Sequence, residues 1–272
     1  MSKQGSSFKD TLQNIFAVSV ILIAFVISYF LFTKVMGSPV NFEGGNPKGP
    51  ALEGNYLGII YKGGFIVPIL MTCVLTLIIF VFERAITLSR AKGKGKLNVF
   101  VRQLQNLLSN DKIEEAIDAC DKQKGSLANV MKAGLSRYRD LQKDKDLEKD
   151  QKILSIQKSF EEATALELPM LSKNMVIFST LASVSVLIGL IGTVLGMIRA
   201  FAALAQSGAP DALALSQGIS EALVNTAFGI SGSTLSILAF NYFTTNIDAY
   251  TFKIDEAGFS LTQNFAASLK DK

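Results

Sequence analysis

The chain has 272 residues, of which 49% are hydrophobic and only 18% charged, a balance too apolar for an ordinary soluble domain of this length. Lysine and arginine exceed aspartate and glutamate by only 27 to 23, and this evenly spread excess does not indicate a nucleic-acid partner. Histidine is absent, and Cys73 and Cys120 lack metal-ligand spacing. We therefore expect a protein embedded in a lipid membrane that is not an enzyme, has no catalytic residues and holds no metal or cofactor.

The first long apolar run, Ile15 to Phe32, carries no charge and is long enough to cross a hydrocarbon core of about 30 Å. A signal peptide is the alternative interpretation. However, the run exceeds the roughly 7 to 15 apolar residues of a signal sequence, and no clear cleavage site follows before Pro39. We predict an uncleaved transmembrane anchor over residues 1–36, followed by an irregular external (periplasmic) loop over residues 37–62.

The second apolar run predicts a span over residues 63–83, in which Pro68 falls in the first turns, where a missing backbone donor is tolerated. Directly after it comes a cluster of basic residues with no acidic residue among them: Arg84, Arg90, Lys92, Lys94, Lys96 and Arg102. The positive-inside rule places this cluster in the cytoplasm. With four spans and a retained anchor, both termini are then cytoplasmic.

The one sizeable polar region, residues 84–174, is predicted to be a helical cytoplasmic region. Its apolar residues recur at helical spacing: Leu97, Phe100, Leu104, Leu107, Leu108, Ile113, Ala116, Ile117 and Cys120. We interpret these stripes as the packed faces of short amphipathic helices rather than as a binding groove.

The last two apolar runs predict a third span over residues 175–200 and a fourth over 213–247. Only a short external loop, residues 201–212, separates them, so the two spans should form an antiparallel pair. The fourth run is longer than a membrane is thick, which predicts that its helix continues into a cytoplasmic C-terminal helix over residues 248–272.

Small and polar residues in these two spans follow a helical spacing. Gly189, Gly192 and Gly196 lie three or four residues apart in the third span, which allows close packing of helix backbones in lipid. In the fourth span the same spacing puts six residues on one face: Gly218, Glu221, Asn225, Gly229, Gly232 and Ser236. We assign these glycines and Asn225 to packing at a pore or a helix interface.

Glu221 is the only charged residue in the fourth run, and a carboxylate inside a span costs roughly 2.5 to 3.5 kcal/mol on insertion scales. It is therefore a candidate site residue, although it could instead pair with Arg199 across the short loop. Thr226 lies about 140° around the helix from Glu221. The chain offers no proton relay beyond Glu221, so a partner should supply the missing ionisable group.

The segments GLIGTVLGMIRAF, Gly189 to Phe201, and GISEALVNTAFGI, Gly218 to Ile230, resemble the two signatures of the ExbB/TolQ/MotA proton-channel family, most closely those of ExbB. The resemblance implies an all-α, multi-pass inner-membrane protein that forms a symmetric homopentameric ring around the helices of an ExbD- or TolR-like partner. That partner's aspartate would carry the proton. Thr193 and Thr226 match the family's pore threonines, and Glu221 matches the carboxylate that shapes the proton path.

The resemblance implies an ExbB-like function, in which the proton motive force drives a TonB-like rod protein that energises transport across the outer membrane. A TolQ-like envelope motor is the second candidate. A gliding or secretion motor also stays open, because the first span departs from the family's common three-span pattern. A passive membrane scaffold is the alternative to a motor subunit. In that case the glycines would only pack helices and Glu221 would only form a salt bridge.

Overall fold

The computed structural model describes residues 3–143, 147–206 and 212–268, and the predicted all-α class is confirmed over these residues. An isolated antiparallel β-bridge joins Phe42 to Ala51. The nine α-helices of the described chain are α1 (Lys3–Phe30), α2 (Tyr56–Tyr61), α3 (Val67–Ala91), α4 (Leu97–Ser109), α5 (Ile113–Gln123), α6 (Ser126–Gln142), α7 (Lys149–Ser172), α8 (Met175–Gln206) and α9 (Ala212–Ser268).

Among the described residues, four helical segments are long and apolar enough to cross a membrane, as the sequence predicted. They are Ala17–Met36, Gly64–Ala91, Lys149–Ala205 and Ala212–Ala267. The second segment is the most apolar of the four and the fourth is the least apolar.

The segment between the first two spans, residues 37–62, is more regular than the predicted irregular loop. It contains the short helix α2, which Asn55 caps by accepting a hydrogen bond from the backbone N–H of Gly58 at 3.1 Å. The buried amide of Asn41 donates to the Val35 carbonyl at 2.7 Å and accepts from Asn55 Nδ2 at 3.0 Å. These bonds tie the segment to the end of the first span and satisfy polar groups that burial would otherwise leave unpaired.

The last two helices extend beyond the predicted span limits. Helix α8 begins at Met175 and continues to Gln206, so the first part of the predicted loop 201–212 is helical, while residues 207–211 of that loop lie outside the described residues. Helix α9 is continuous through the predicted span and its predicted C-terminal extension, of which residues 269–272 are likewise outside the described part.

The chain divides into two compact units. The membrane unit comprises Met1–Val81 and Val176–Phe240, and the polar unit comprises Phe82–Met175 and Asn241–Lys272. The polar unit has a packed helical core, as the stripes predicted: α4 buries Phe100, Leu104 and Leu108. The residues predicted to carry function all lie in the membrane unit.

An ion pair with a buried arginine lies in the polar unit. The Arg84 side chain is only 1% exposed and donates to both oxygens of the Glu83 carboxylate at 2.6 Å. It also donates to the Leu171 carbonyl at 3.3 Å, near the end of α7. A carboxylate and the carbonyl groups at a helix C-terminus both stabilise a guanidinium. This pairing therefore explains how a basic residue of the predicted cytoplasmic cluster is buried.

Candidate functional site

Helices α8 and α9 contact each other backbone to backbone in the membrane unit, and glycines make this possible. A Cβ atom added to Gly189 would lie 2.9 Å from the Asn225 carbonyl oxygen and 3.0 Å from the Cα of Gly229. One at Gly196 would lie 2.8 Å from the Gly218 carbonyl oxygen. Backbone atoms cannot turn away from such contacts, so no larger residue fits between the helices at these positions.

Asn225 is fully buried beside another glycine of α8. A Cβ atom at Gly192 would lie 2.7 Å from Asn225 Nδ2, so this glycine provides the space for the amide. The same Nδ2 donates a hydrogen bond to the Gly63 carbonyl at 2.9 Å. At Gly232 the nearest neighbour of an added Cβ is the Ser185 side chain at 3.4 Å, so the packing is looser there.

Thr193 of α8 and Thr226 of α9 meet between the two helices, and their hydroxyl groups form a hydrogen bond with each other. Both side chains are half-buried. Thr193 Oγ1 lies 3.1 Å from the Gly189 carbonyl oxygen, and Thr226 Oγ1 lies 3.2 Å from that of Ala222. Because each hydroxyl has one proton, the pair can change its donor direction and still leave lone pairs for another group.

The threonine pair borders an exposed apolar surface. Leu190 and Leu223 each precede a threonine by three residues and are 50% and 66% exposed, and Ile230, four residues after Thr226, is 51% exposed. Residues three or four apart share a helix face. The two hydroxyls therefore lie at the edge of an apolar surface that lipid or another membrane helix must cover.

Glu221 has a different environment. Its side chain is 10% exposed and its carboxylate accepts a hydrogen bond from Arg199 Nη1, whose side chain is 51% exposed. The Arg199 guanidinium also lies 5.6 Å from the centre of the Phe65 ring. The pairing that the sequence left open as an alternative is thus present in the structure.

The comparisons with known proteins agree with the resemblance seen in the sequence. The model of the MotA/TolQ/ExbB proton channel family matches residues 122–256, a range that includes Thr193, Glu221 and Thr226. The chain carries a MotA/TolQ/ExbB family domain. The match leaves out the first two predicted spans and residues 37–62.

Three relatives within this family have different names and different extents of similarity. A biopolymer transport protein named ExbB-like 3 from Synechocystis is 40% identical over 31% of this chain and 41% of its own length. The Tol-Pal system protein TolQ of Haemophilus influenzae is 35% identical over 30% of this chain and 36% of its own. The biopolymer transport protein ExbB of Neisseria gonorrhoeae is 27% identical over 79% of this chain and 90% of its own. The matches thus span under half the length of the first two relatives.

The structure brings together Thr193 and Thr226, which sequence spacing alone could not pair, because they lie 33 residues apart on different helices. It places Glu221 and Asn225 together on another side of α9. Sequence reasoning missed the contact of this side with residues 63–65. The available signal was the Gly63-Gly64 pair at the start of the second span. In the described part of the chain, no group of three or more His, Cys, Asp or Glu residues could hold a metal ion.

Proposed function

We propose that the chain is the channel-forming subunit of a proton-motive-force-driven motor in the inner membrane, with both termini in the cytoplasm. Five copies surround the membrane helices of an ExbD- or TolR-like subunit. The observation that carries this proposal is the hydroxyl pair of Thr193 and Thr226, half-buried at the edge of an exposed apolar surface within a family domain.

The partner's aspartate carries the proton, because this chain has one charged residue in its fourth predicted span and that residue is already paired. An ionised carboxylate in a membrane needs hydrogen-bond donors, and a protonated one needs an acceptor. The threonine pair supplies both, since either hydroxyl can act as the donor. Glu221 lies off this contact and shapes the path by fixing the position of α9.

The energy available to such a motor is adequate. Each elementary charge that crosses 100 mV releases about 2.3 kcal/mol from the electrical term alone. One proton transfer therefore exceeds thermal energy several-fold. Successive protonations of the partner aspartate can drive stepwise movement of the partner inside the ring.

The first test replaces the hydroxyls by methyl groups. Thr193→Val and Thr226→Val, made singly and together in the complex with its ExbD- or TolR-like partner, should reduce proton flux into reconstituted vesicles by more than about tenfold each. Thr72→Val is the matched control, because Thr72 also lies in a membrane helix and donates to the carbonyl one turn earlier, at 2.7 Å. Unchanged flux in the double variant, with the complex intact, would favour a passive scaffold.

Within the family, we propose an ExbB-like role, in which the motor drives a TonB-like rod protein and energises outer-membrane transport. The relatives named TolQ support a TolQ-like envelope motor as the second candidate. The rod protein that co-purifies with the complex separates the two roles. A TonB-like rod is expected, and recovery of a TolA-like rod alone would overturn this choice.

A further inference from the structure

Residues 63–65, which we call the elbow, join the segment 37–62 to the second span. Each residue of the elbow is held by a different side chain of α8 or α9. Asn225 donates to the carbonyl of its first residue at 2.9 Å, and Arg199 lies over the ring of its third residue at 5.6 Å. Glu221 fills the space against the middle residue, Gly64.

The middle residue of the elbow strongly favours glycine. Gly64 has φ +75°, a conformation that residues with a Cβ atom rarely adopt. An added Cβ atom would also collide with Glu221 Oε1 and lie 3.0 Å from its Cδ. Arg199 Nη1 would be 3.6 Å away. The elbow backbone and the ion pair are therefore fitted to each other.

The charges of α8 and α9 favour a closed ion pair at Glu221. Arg199 is the only charged residue of α8, and Glu221 is the only charged residue of α9 between Ala212 and Phe240. A buried carboxylate is costly unless a cation and hydrogen bonds compensate it. Arg199 provides both to Glu221, and its Phe65 contact holds the guanidinium in place.

We propose that Arg199 is a positioning residue for the ion path, which it serves by clamping Glu221 and Phe65 so that the elbow, α8 and α9 are fixed together. The pair acts through its geometry, and the Glu221 carboxylate does not transfer the proton. Residue 222, one position after Glu221, offers its carbonyl to both threonine hydroxyls, at 3.2 and 3.3 Å. A displaced Glu221 would therefore disturb the threonine pair. This inference rests on the proposed function.

A charge exchange tests the proposal. Arg199→Glu and Glu221→Arg, each made alone in the full complex, leave two like charges in the membrane and should lower proton flux by more than about tenfold. The double variant restores the pair in reverse and should recover flux to within about threefold of the wild type. If the Glu221 carboxylate itself carried protons, moving the carboxylate to position 199 would not restore flux. A double variant no better than the worse single variant would overturn the proposal.

A second measurement does not depend on whether the charge variants assemble. Gly64→Ala drives a methyl group into the Glu221 carboxylate, and Gly54→Ala is its matched control, because Gly54 has φ +76° with nothing within 4 Å of an added Cβ. Both changes place a Cβ atom at nearly the same positive φ, which costs about 1 kcal/mol of backbone strain. We expect Gly64→Ala to lower flux by more than about tenfold relative to Gly54→Ala. Equal flux in the two variants would overturn the clamp.

The outcomes also separate this inference from the proposed function. If the threonine variants abolish flux and the charge exchange does not restore it, the ion path stands and the clamp is wrong. If neither the threonine variants nor the single charge variants affect flux in an intact complex, the proposed function fails and the clamp fails with it.

Discussion

Thr226 and Glu221 are five residues apart on α9, and both place a polar group in a membrane helix, yet their surroundings differ in kind. Thr226 pairs with a neutral hydroxyl and stays half-buried beside an exposed apolar surface. Glu221 pairs with a cation of its own chain and lies against the elbow. An intramembrane polar group that keeps free hydrogen-bonding capacity at a surface is available to a partner. A charge that is paired within its own subunit holds helices together.

The largest expected contrast is in water access to the two sides of α9. With Cys73 replaced by alanine, Thr226→Cys should react with a small cationic thiol reagent at pH 8 about a hundredfold faster than Asn225→Cys, because only the first position faces the proposed path. The remaining native thiol should not react with the reagent, because burial raises the pKa of Cys120 to about 12. Its thiolate is therefore only about one part in ten thousand at pH 8. Equal labelling rates at the two positions would remove the distinction between the two sides.

The next expected effect is on the close contact between α8 and α9, on which the threonine pair and the Arg199–Glu221 pair both depend. Gly189→Ala puts a methyl group against backbone atoms of α9 at 2.9 and 3.0 Å, so the helices must separate, at a cost of about 1–3 kcal/mol. We expect this separation to disturb the threonine pair and the Arg199–Glu221 pair together, and so to lower both the proton flux and the thermal stability of the complex in detergent. Gly258→Ala on α9 is the control, since the atoms nearest to its added Cβ belong to the Phe160 side chain and lie at 3.7 Å or more. A Gly189→Ala variant as active and stable as this control would contradict the close contact.

A smaller effect is expected at the amide that supports the elbow. Asn225→Leu removes the buried hydrogen bond to the Gly63 carbonyl and should lower stability by about 1 kcal/mol, a typical net value for one hydrogen bond. Thermal unfolding of the purified complex measures this change. Thr226→Val should instead reduce flux with less change in stability. If the two substitutions lower stability and proton flux in the same proportion, the proposed difference between Asn225 and Thr226 is wrong.

The spans and the amphipathic helices of the polar unit could be predicted from the sequence because length, hydropathy and helical spacing are local properties. The stripe of Phe100, Leu104 and Leu108 shows this, since its spacing alone predicts the buried face of α4. The regular structure of residues 37–62 was missed. It depends on the Asn41 amide, whose partners lie up to 14 residues away in the chain.

The candidate site was only partly predictable for the same reason. Spacing put Glu221 and Asn225 on one face of α9, and the family resemblance selected Thr193 and Thr226. Neither kind of information shows which faces of two helices meet or what the other face contacts. The elbow is contributed by a segment more than 120 residues before α9 in the sequence, so only the folded chain shows that it completes the environment of Glu221.

The most direct test of the account is proton flux through the reconstituted complex, measured side by side for two double variants. We expect that Thr193→Val with Thr226→Val loses flux, while Arg199→Glu with Glu221→Arg keeps flux within about threefold of the wild type. The opposite pattern, with flux retained without the hydroxyls and lost on charge exchange, would show that the Glu221 carboxylate carries the ion. It would contradict the assignment of the path to the threonine pair.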